Sequence, residues 1–284
     1  MTTLTEEDPN LKKILAFLLK VKGFDGHQYK MNYIKRRIAV RMRATGASGY
    51  EDYLRILEGT PQEPSLLVDK LTIHVTEFFR DPEVYHAIKK KVIPEFGEGT
   101  GRTFKVWCAG CSTGEEPYSM AILMNEWKDA NPGFEYEIFA TDIDLTSVRT
   151  ANKGEYPIES LQKLSRTQVA RWFQPHGLVA RVLPELRARI SFRTHDLLGV
   201  WPAELSNFNL VLCRNMLIYL TAHEQQKIYE LFAKSLVPEG ILVLGLTETL
   251  LGSARKNYRC IDIRHRIYQM IRPLGTTPAT GVEA

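Results

Sequence analysis

The sequence predicts two architectures in one chain: an all-α segment, then an α/β domain built on a parallel sheet. Three observations carry this. No strand pattern occurs before residue 100, where apolar residues recur at helical spacing. From Phe104 onward, short apolar runs alternate with amphipathic ones, the rhythm of strands joined by helical crossovers. That rhythm breaks once, over Gly154 to Arg189, and then resumes. A chain of 284 residues with 44% hydrophobic content can bury a sizeable core in one large domain or two smaller ones.

Each element follows from local signals. Asn10 can cap a helix that buries Leu11, Ile14, Leu15 and Leu18 and ends near Gly23. A second helix is expected from about His27 to Ala44, with Ile34, Ile38 and Met42 inward. Tyr50–Leu57 and Ser65–Thr76 complete a small helical domain, placed at 1–76. Asp81-Pro82-Glu83 reads as a helix start, with a cap, a proline and an acid in the first turn, giving a linker helix over 77–93. The α/β domain is placed at 94–272. Its expected strands are Phe104–Cys108, Tyr136–Thr141, Phe208–Cys213 and Gly240–Leu246, with helices over Tyr118–Asp129, Leu145–Asn152 and from Thr221 to Leu236. Ser165-Arg166-Thr167-Gln168 is a capping box. Leu178–Val182 and Ile190–Arg193 read as strands around a turn, an inserted β element at about 154–189. Cys260–Arg264 and Ile267–Ile271 look like a closing antiparallel pair, and 273–284 like a disordered tail.

Composition narrows the classes. No apolar run approaches the roughly 20 residues of a membrane span, and the acidic start is unlike a signal peptide. Four cysteines make no disulfide framework, so a cytoplasmic protein is expected. Cys108-x-x-Cys111 has metal-pair spacing, but Cys213 and Cys260 are lone, and no metal is expected. The net charge of +4 is unevenly placed. Lys30, Lys35, Arg36, Arg37, Arg41 and Arg43 fall in one stretch without an acid, a patch suited to an anionic partner.

The chemistry-bearing residues gather at strand ends. Phe104–Cys108 leads into a loop with Gly110 and Gly114, then Glu115-Glu116-Pro117 opens a helix. Small residues there let a ligand approach the backbone, while two carboxylates would repel a pyrophosphate and favour a cationic ligand. Asp142, Asp196 and Arg214-Asn215 end further strands. Ligands of open α/β sheets sit outside those carboxyl ends, and an acid closing the second strand is placed to take ribose hydroxyls. A plain turn or cap explains any one of these residues; it explains four strand ends together poorly.

Thr76-Glu77-Phe78-Phe79-Arg80, Ser112-Thr113-Gly114-Glu115-Glu116-Pro117-Tyr118-Ser119, Ala140-Thr141-Asp142-Ile143-Asp144 and Cys213-Arg214-Asn215-Met216-Leu217-Ile218-Tyr219 occur in order. Together they resemble the chemotaxis receptor methyltransferases, the CheR family, over nearly the whole chain. The resemblance implies a class I, Rossmann-like methyltransferase sheet and S-adenosylmethionine (AdoMet) as donor. It implies as acceptor a glutamate carboxylate on the acidic cytoplasmic helices of membrane receptors. By motif, Thr76 and Arg80 reach the cofactor, Glu115 or Glu116 meets its methionine moiety, Asp142 the ribose, and Asp196 and Leu197 the adenine side. Arg214 and Asn215 line the pocket near the reacting end, with Tyr219 close by. His74 stands where better-known members have Asn.

A glutamate acceptor is already ionised at pH 7 and needs no general base, only placement, for which Arg80 and Tyr219 are the candidates. Lys35, Arg36, Arg37, Arg41 and Arg43 are the candidate docking set, on a monomeric enzyme that neither inserts into membranes nor binds nucleic acid. One alternative is a methyltransferase acting on another protein or a small molecule. A second is a nucleic-acid-binding module on the basic helix, though only Tyr29 and Tyr33 interleave with its charges. The resemblance also points to a receptor pentapeptide tether in some members. The segment Trp172–Val182 carries one glycine and a stiffening Pro175, so a tether-independent enzyme is expected.

Overall fold

The computed structural model describes residues 8–72, 75–97 and 103–271. Asp8, two residues ahead of Asn10, opens the first helix by accepting the Asn10 N–H. Pro9 follows in the first turn, where no amide donor is wanted. α1 (Pro9–Lys22) buries Leu11, Ile14, Leu15 and Leu18 and stops at Gly23 in the left-handed region. The next helix starts later than His27, because Gly26–Gln28 is a 3-10 turn and Tyr29 is extended to bridge Leu220. α2 is Met31–Thr45, α3 Tyr50–Gly59 and α4 Glu63–Leu71. Their apolar faces, with Tyr33, Ile34, Ile38, Tyr53, Leu57, Leu67 and Leu71, close one core.

These helices form a compact unit to which Tyr219–Glu224 also belong. Within it the Tyr219 ring lies 4.8 Å from that of Tyr33, and the Lys30 N–H donates to the Tyr219 carbonyl.

The second unit begins with α5 (Pro82–Lys91) and α6 (Ile93–Gly97). Asp81, expected as the α5 cap, makes no capping bond; its carboxylate goes to Arg214 instead. Then come β1 (Phe104–Ala109), α7 (Glu115–Ala130), β2 (Tyr136–Asp142) and α8 (Leu145–Lys153), which Asp144 caps. β3 (Glu155–Pro157), α9 (Arg166–Trp172, with the full capping box), β4 (Phe173–His176), β5 (Val179–Val182) and α10 (Pro184–Arg187) follow. The chain closes with β6 (Ile190–Thr194), β7 (Phe208–Cys213), α11 (Ala222–Ser235), β8 (Leu236–Leu244), β9 (Tyr258–Asp262) and β10 (Ile267–Met270).

The main sheet has seven strands in the order β6-β2-β1-β7-β8-β10-β9. Only β10 runs against its neighbours. Strand order reverses beside β1, so the crevice for a ligand lies beyond the carboxyl ends of β1 and β7. β6 departs from the reading that paired it with Leu178–Val182: it extends the main sheet, parallel to β2. β5 instead pairs with β3 and β4 in a separate three-stranded sheet. Periodicity alone cannot distinguish those two partners for a short strand. At the centre Trp107 is fully buried among Trp201, Phe208 and Phe232, and its Nε1–H donates to Thr141 Oγ1 at 2.9 Å. The tail at 273–284 lies outside the described residues.

Candidate active site

The β1–α7 loop turns on two glycines of different kinds. Gly110 needs its positive φ of 79°, while a Cβ would find room. At Gly114 a Cβ would sit 2.7 Å from Ala151 Cβ and 2.8 Å from Tyr156 Oη, so no side chain fits. Between them Ser112 is left-handed too, and its N–H donates to Asp142 Oδ2 at 2.7 Å. The other oxygen of Asp142 accepts the Asp144 N–H at 3.0 Å. This carboxylate therefore braces two loops. A carboxylate is an acceptor-only group, which is the chemistry that ribose hydroxyls require.

The third strand end is fixed to the same residue, since the His195 N–H donates to the Asp142 carbonyl. Asp196 is exposed and accepts the Leu198 N–H in a local turn, and Leu197 beside it is buried. Burial pushes the His195 imidazole pKa down.

At the end of β7, Arg214 is buried among acids. It donates to Asp81 Oδ2 at 2.6 Å, to the Arg80 carbonyl at 2.8 Å and to Glu116 Oε2 at 3.3 Å, and its guanidinium lies 5.6 Å from the Tyr85 ring centroid. Burial raises the Glu116 pKa, with Arg214 and Arg80 opposing it. Glu115 turns to Thr113, whose hydroxyl it accepts, and burial raises its pKa as well. The two neighbouring acids thus differ: Glu116 shares the arginine cluster and Glu115 does not. Arg80 donates to the Val75 carbonyl, Thr76 is half-buried, and His74 lies outside the described residues.

Among the described residues eight buried side-chain polar atoms lack a partner within the protein, and Ser112 Oγ, Asn215 Oδ1, Arg214 Nε and the Tyr85 hydroxyl are four of them. Orphans of this kind are rare in interiors, and Ser112, Arg214 and Asn215 belong to the loops at the ends of β1 and β7.

The docking set divides. Arg36 and Arg43 are exposed, Lys35 is half-buried, and Arg37 lies over the Tyr33 ring. Arg41 is drawn inward instead. Its Nε and Nη2 make a bidentate pair with Glu63 at 2.9 and 2.6 Å, and the Tyr53 hydroxyl donates to the same carboxylate. Tyr219 belongs to the helical unit.

Sequence reasoning missed three residues that contact the candidate site residues Arg214 and Asn215. Asp81 reads as a cap, and Tyr85 carries no signal in the sequence. Glu248, just past β8, was overlooked although it follows a parallel strand as the other site residues do.

A family model described as the CheR methyltransferase SAM-binding domain matches residues 74–267, and one for the CheR methyltransferase all-alpha domain matches 9–72. The chemotaxis protein methyltransferase of Listeria innocua is 34% identical over 87% of this chain and 94% of its own length. That of Pseudomonas putida is 32% identical over 86% and 91%. That of Escherichia coli is 30% identical over 86% of each. Asp142, the glycine turn and the orphaned donors and acceptors fit AdoMet, a ligand with ribose hydroxyls and a zwitterionic amino acid end. The chain belongs to the CheR family and is an AdoMet-dependent methyltransferase.

Proposed function

We propose that this enzyme methylates glutamate side chains of chemotaxis receptors, giving glutamyl methyl esters. The observation that carries the receptor assignment is the exposed basic face of α2, where Arg36 and Arg43 stand with no acid on the helix. Such a face attracts an acidic helix and steers its approach. Its aromatics do not serve nucleic acid bases: Tyr29 and Tyr33 are stacked into the unit's own ring cluster with Phe24 and Tyr219.

Bound AdoMet supplies a methyl group made electrophilic by its sulfonium. The protein's residues do the holding. Asp142 would take the ribose hydroxyls, and Asp196 and Leu197 would flank the adenine. Glu116, Arg80 and Arg214 would hold the amino acid end; Glu116 is preferred to Glu115 because only Glu116 lies among those cations. An ionised acceptor glutamate needs no base, only orientation and loss of its water, a role for which Arg80 is the candidate within the α/β unit.

Both edge strands of the three-stranded sheet carry a proline, Pro157 in β3 and Pro175 in β4. Proline offers no N–H to an added strand, which supports a monomeric enzyme working without a C-terminal receptor tether. A peptide ending in the receptor pentapeptide is expected not to bind; micromolar binding in a titration would refute tether independence. The reaction itself is tested with radiolabelled AdoMet and receptor-containing membranes. Label released by mild alkali identifies a carboxyl ester, and alkali-stable label would point to another acceptor.

A further inference from the structure

Glu248 is a buried carboxylate, 3% exposed, for which the methyl transfer just described has no use. Its Oε2 accepts the N–H of Gly245 at 2.7 Å and of Asn215 at 2.9 Å, and its Oε1 accepts the N–H of Ile218 at 3.2 Å. Among the described residues no lysine, arginine or histidine forms an ion pair with it. Backbone donors alone hold the charge.

Those donors are not scattered. Asn215 and Ile218 bracket the turn that leaves β7, and Asn215 is held in the left-handed region at φ 61°, which L residues seldom adopt. Gly245 makes room for this turn. A Cβ there would stand 2.7 Å from the Asn215 nitrogen and 2.8 Å from Glu248 Oε2. The end of β8 thus clasps the end of β7, with one carboxylate as the clasp. Burying an anion is costly unless its acceptor sites are filled, so the turn and the carboxylate each require the other's placement.

We infer that Glu248 is a positioning residue, which sets the Arg214–Ile218 turn so that Asn215 and Arg214 meet the cofactor. This rests on the reading of that turn as part of the AdoMet site. A structural staple would explain the same bonds, but its loss would lower only the melting temperature.

The two are separated by measuring the affinity for S-adenosylhomocysteine calorimetrically, below the melting temperatures of all variants. Glu248→Gln replaces one acceptor oxygen by an NH2 that faces N–H donors, and is expected to weaken binding about tenfold or more. Glu248→Asp keeps the charge on a shorter arm and should fall between wild type and Glu248→Gln. Tyr258→Phe removes a different buried bond, from the Tyr258 hydroxyl to the Tyr229 carbonyl, and should lower stability while leaving affinity intact. Because Glu248 acts through the turn, adding Glu248→Gln to Asn215→Ala should cost less than Glu248→Gln alone. Wild-type affinity in Glu248→Gln, or full additivity in the double variant, overturns the inference. If Glu248→Gln weakens binding while Asn215→Ala does not, the cofactor role of Asn215 falls and that of the clasp stands. The reverse result removes Glu248 alone.

Discussion

Two arginines, the half-buried Arg41 of one unit and the buried Arg214 of the other, show how the same side chain can serve different ends. Arg41 in α2 meets a single carboxylate that Tyr53 also satisfies, and its Nε and Nη2 are both matched in fork geometry. Arg214 is divided among Asp81, Glu116 and the Arg80 carbonyl, with its Nε left over. A closed pair fixes one conformation. An open cluster with an orphaned donor holds polarity in reserve for something that binds. The contrast favours a fold role for Arg41, although its position in a basic run suggests docking, and supports the cofactor role proposed for Arg214.

The sharpest way to break this comparison is to remove Arg214. Arg214→Ala strands two acids beneath the site, and losing one partner of a buried ionic group costs about 3–5 kcal/mol. Denaturant unfolding should show that loss and calorimetry a loss of AdoMet affinity; unchanged affinity would make the cluster purely structural. Glu63→Ala strands Arg41 and Tyr53 and should cost about 2–3 kcal/mol with cofactor affinity untouched. Replacing the pair together, Arg41→Met with Glu63→Leu, should recover most of that stability, and a persistent loss of methylation in the double variant would return Arg41 to docking.

Asp142→Ala should weaken cofactor binding about tenfold to a hundredfold, the value of a charge-assisted bond. Because Asp142 also braces Ser112 and Asp144, a modest drop in melting temperature is expected alongside. Reversing Arg36, Arg37 and Arg43 to Glu should leave cofactor affinity unchanged and suppress receptor methylation, and wild-type methylation should fall as salt rises. A rate indifferent to both would remove α2 from docking.

The smallest effect is the response to acid. Burial pushes the Glu63 pKa up, but its bonds from Arg41 and Tyr53 outweigh this and hold it below the ordinary range. Its contribution is complete above the unfolded value of about 4.3 and is lost as pH falls through the folded one. Burial leaves Glu116, Glu115 and Glu248 net raised, so each costs stability at neutral pH, a cost relieved as pH falls through the folded values toward 4.3. Amide exchange, corrected for intrinsic rates, should show α7 gaining protection as pH falls from neutral toward the ordinary glutamate value of about 4.3, and α4 losing it only below that value. Parallel responses in the two helices would end the contrast.

What the sequence made legible was local. The alternation after Phe104, the capping box at Ser165 and the glycine turn before Glu115 are properties of neighbouring residues, and the helices and strands formed where those signals stood. The four strand ends were found because the sheet rule needs only their order. What escaped depends on partners distant in sequence. Asp81-Pro82-Glu83 carries every sign of a cap, yet the carboxylate is taken by Arg214. Arg41 looked free until Glu63 met it. Glu248 follows a strand whose apolar run continues to Leu246, so nothing marked where the strand would stop.

The alliance of Tyr219–Glu224 with the helical unit bears on how the chain is made and recombined. The Thr221 N–H donates to the Gln28 carbonyl, and Tyr29 bridges Leu220. A ribosome delivers those residues only after most of the sheet has emerged, so the first unit to leave the tunnel is among the last to be finished. Any exchange of helical domains between relatives therefore has to carry two separate stretches of sequence. A graft ending at residue 72 would leave Tyr33 stacked against a foreign tyrosine loop.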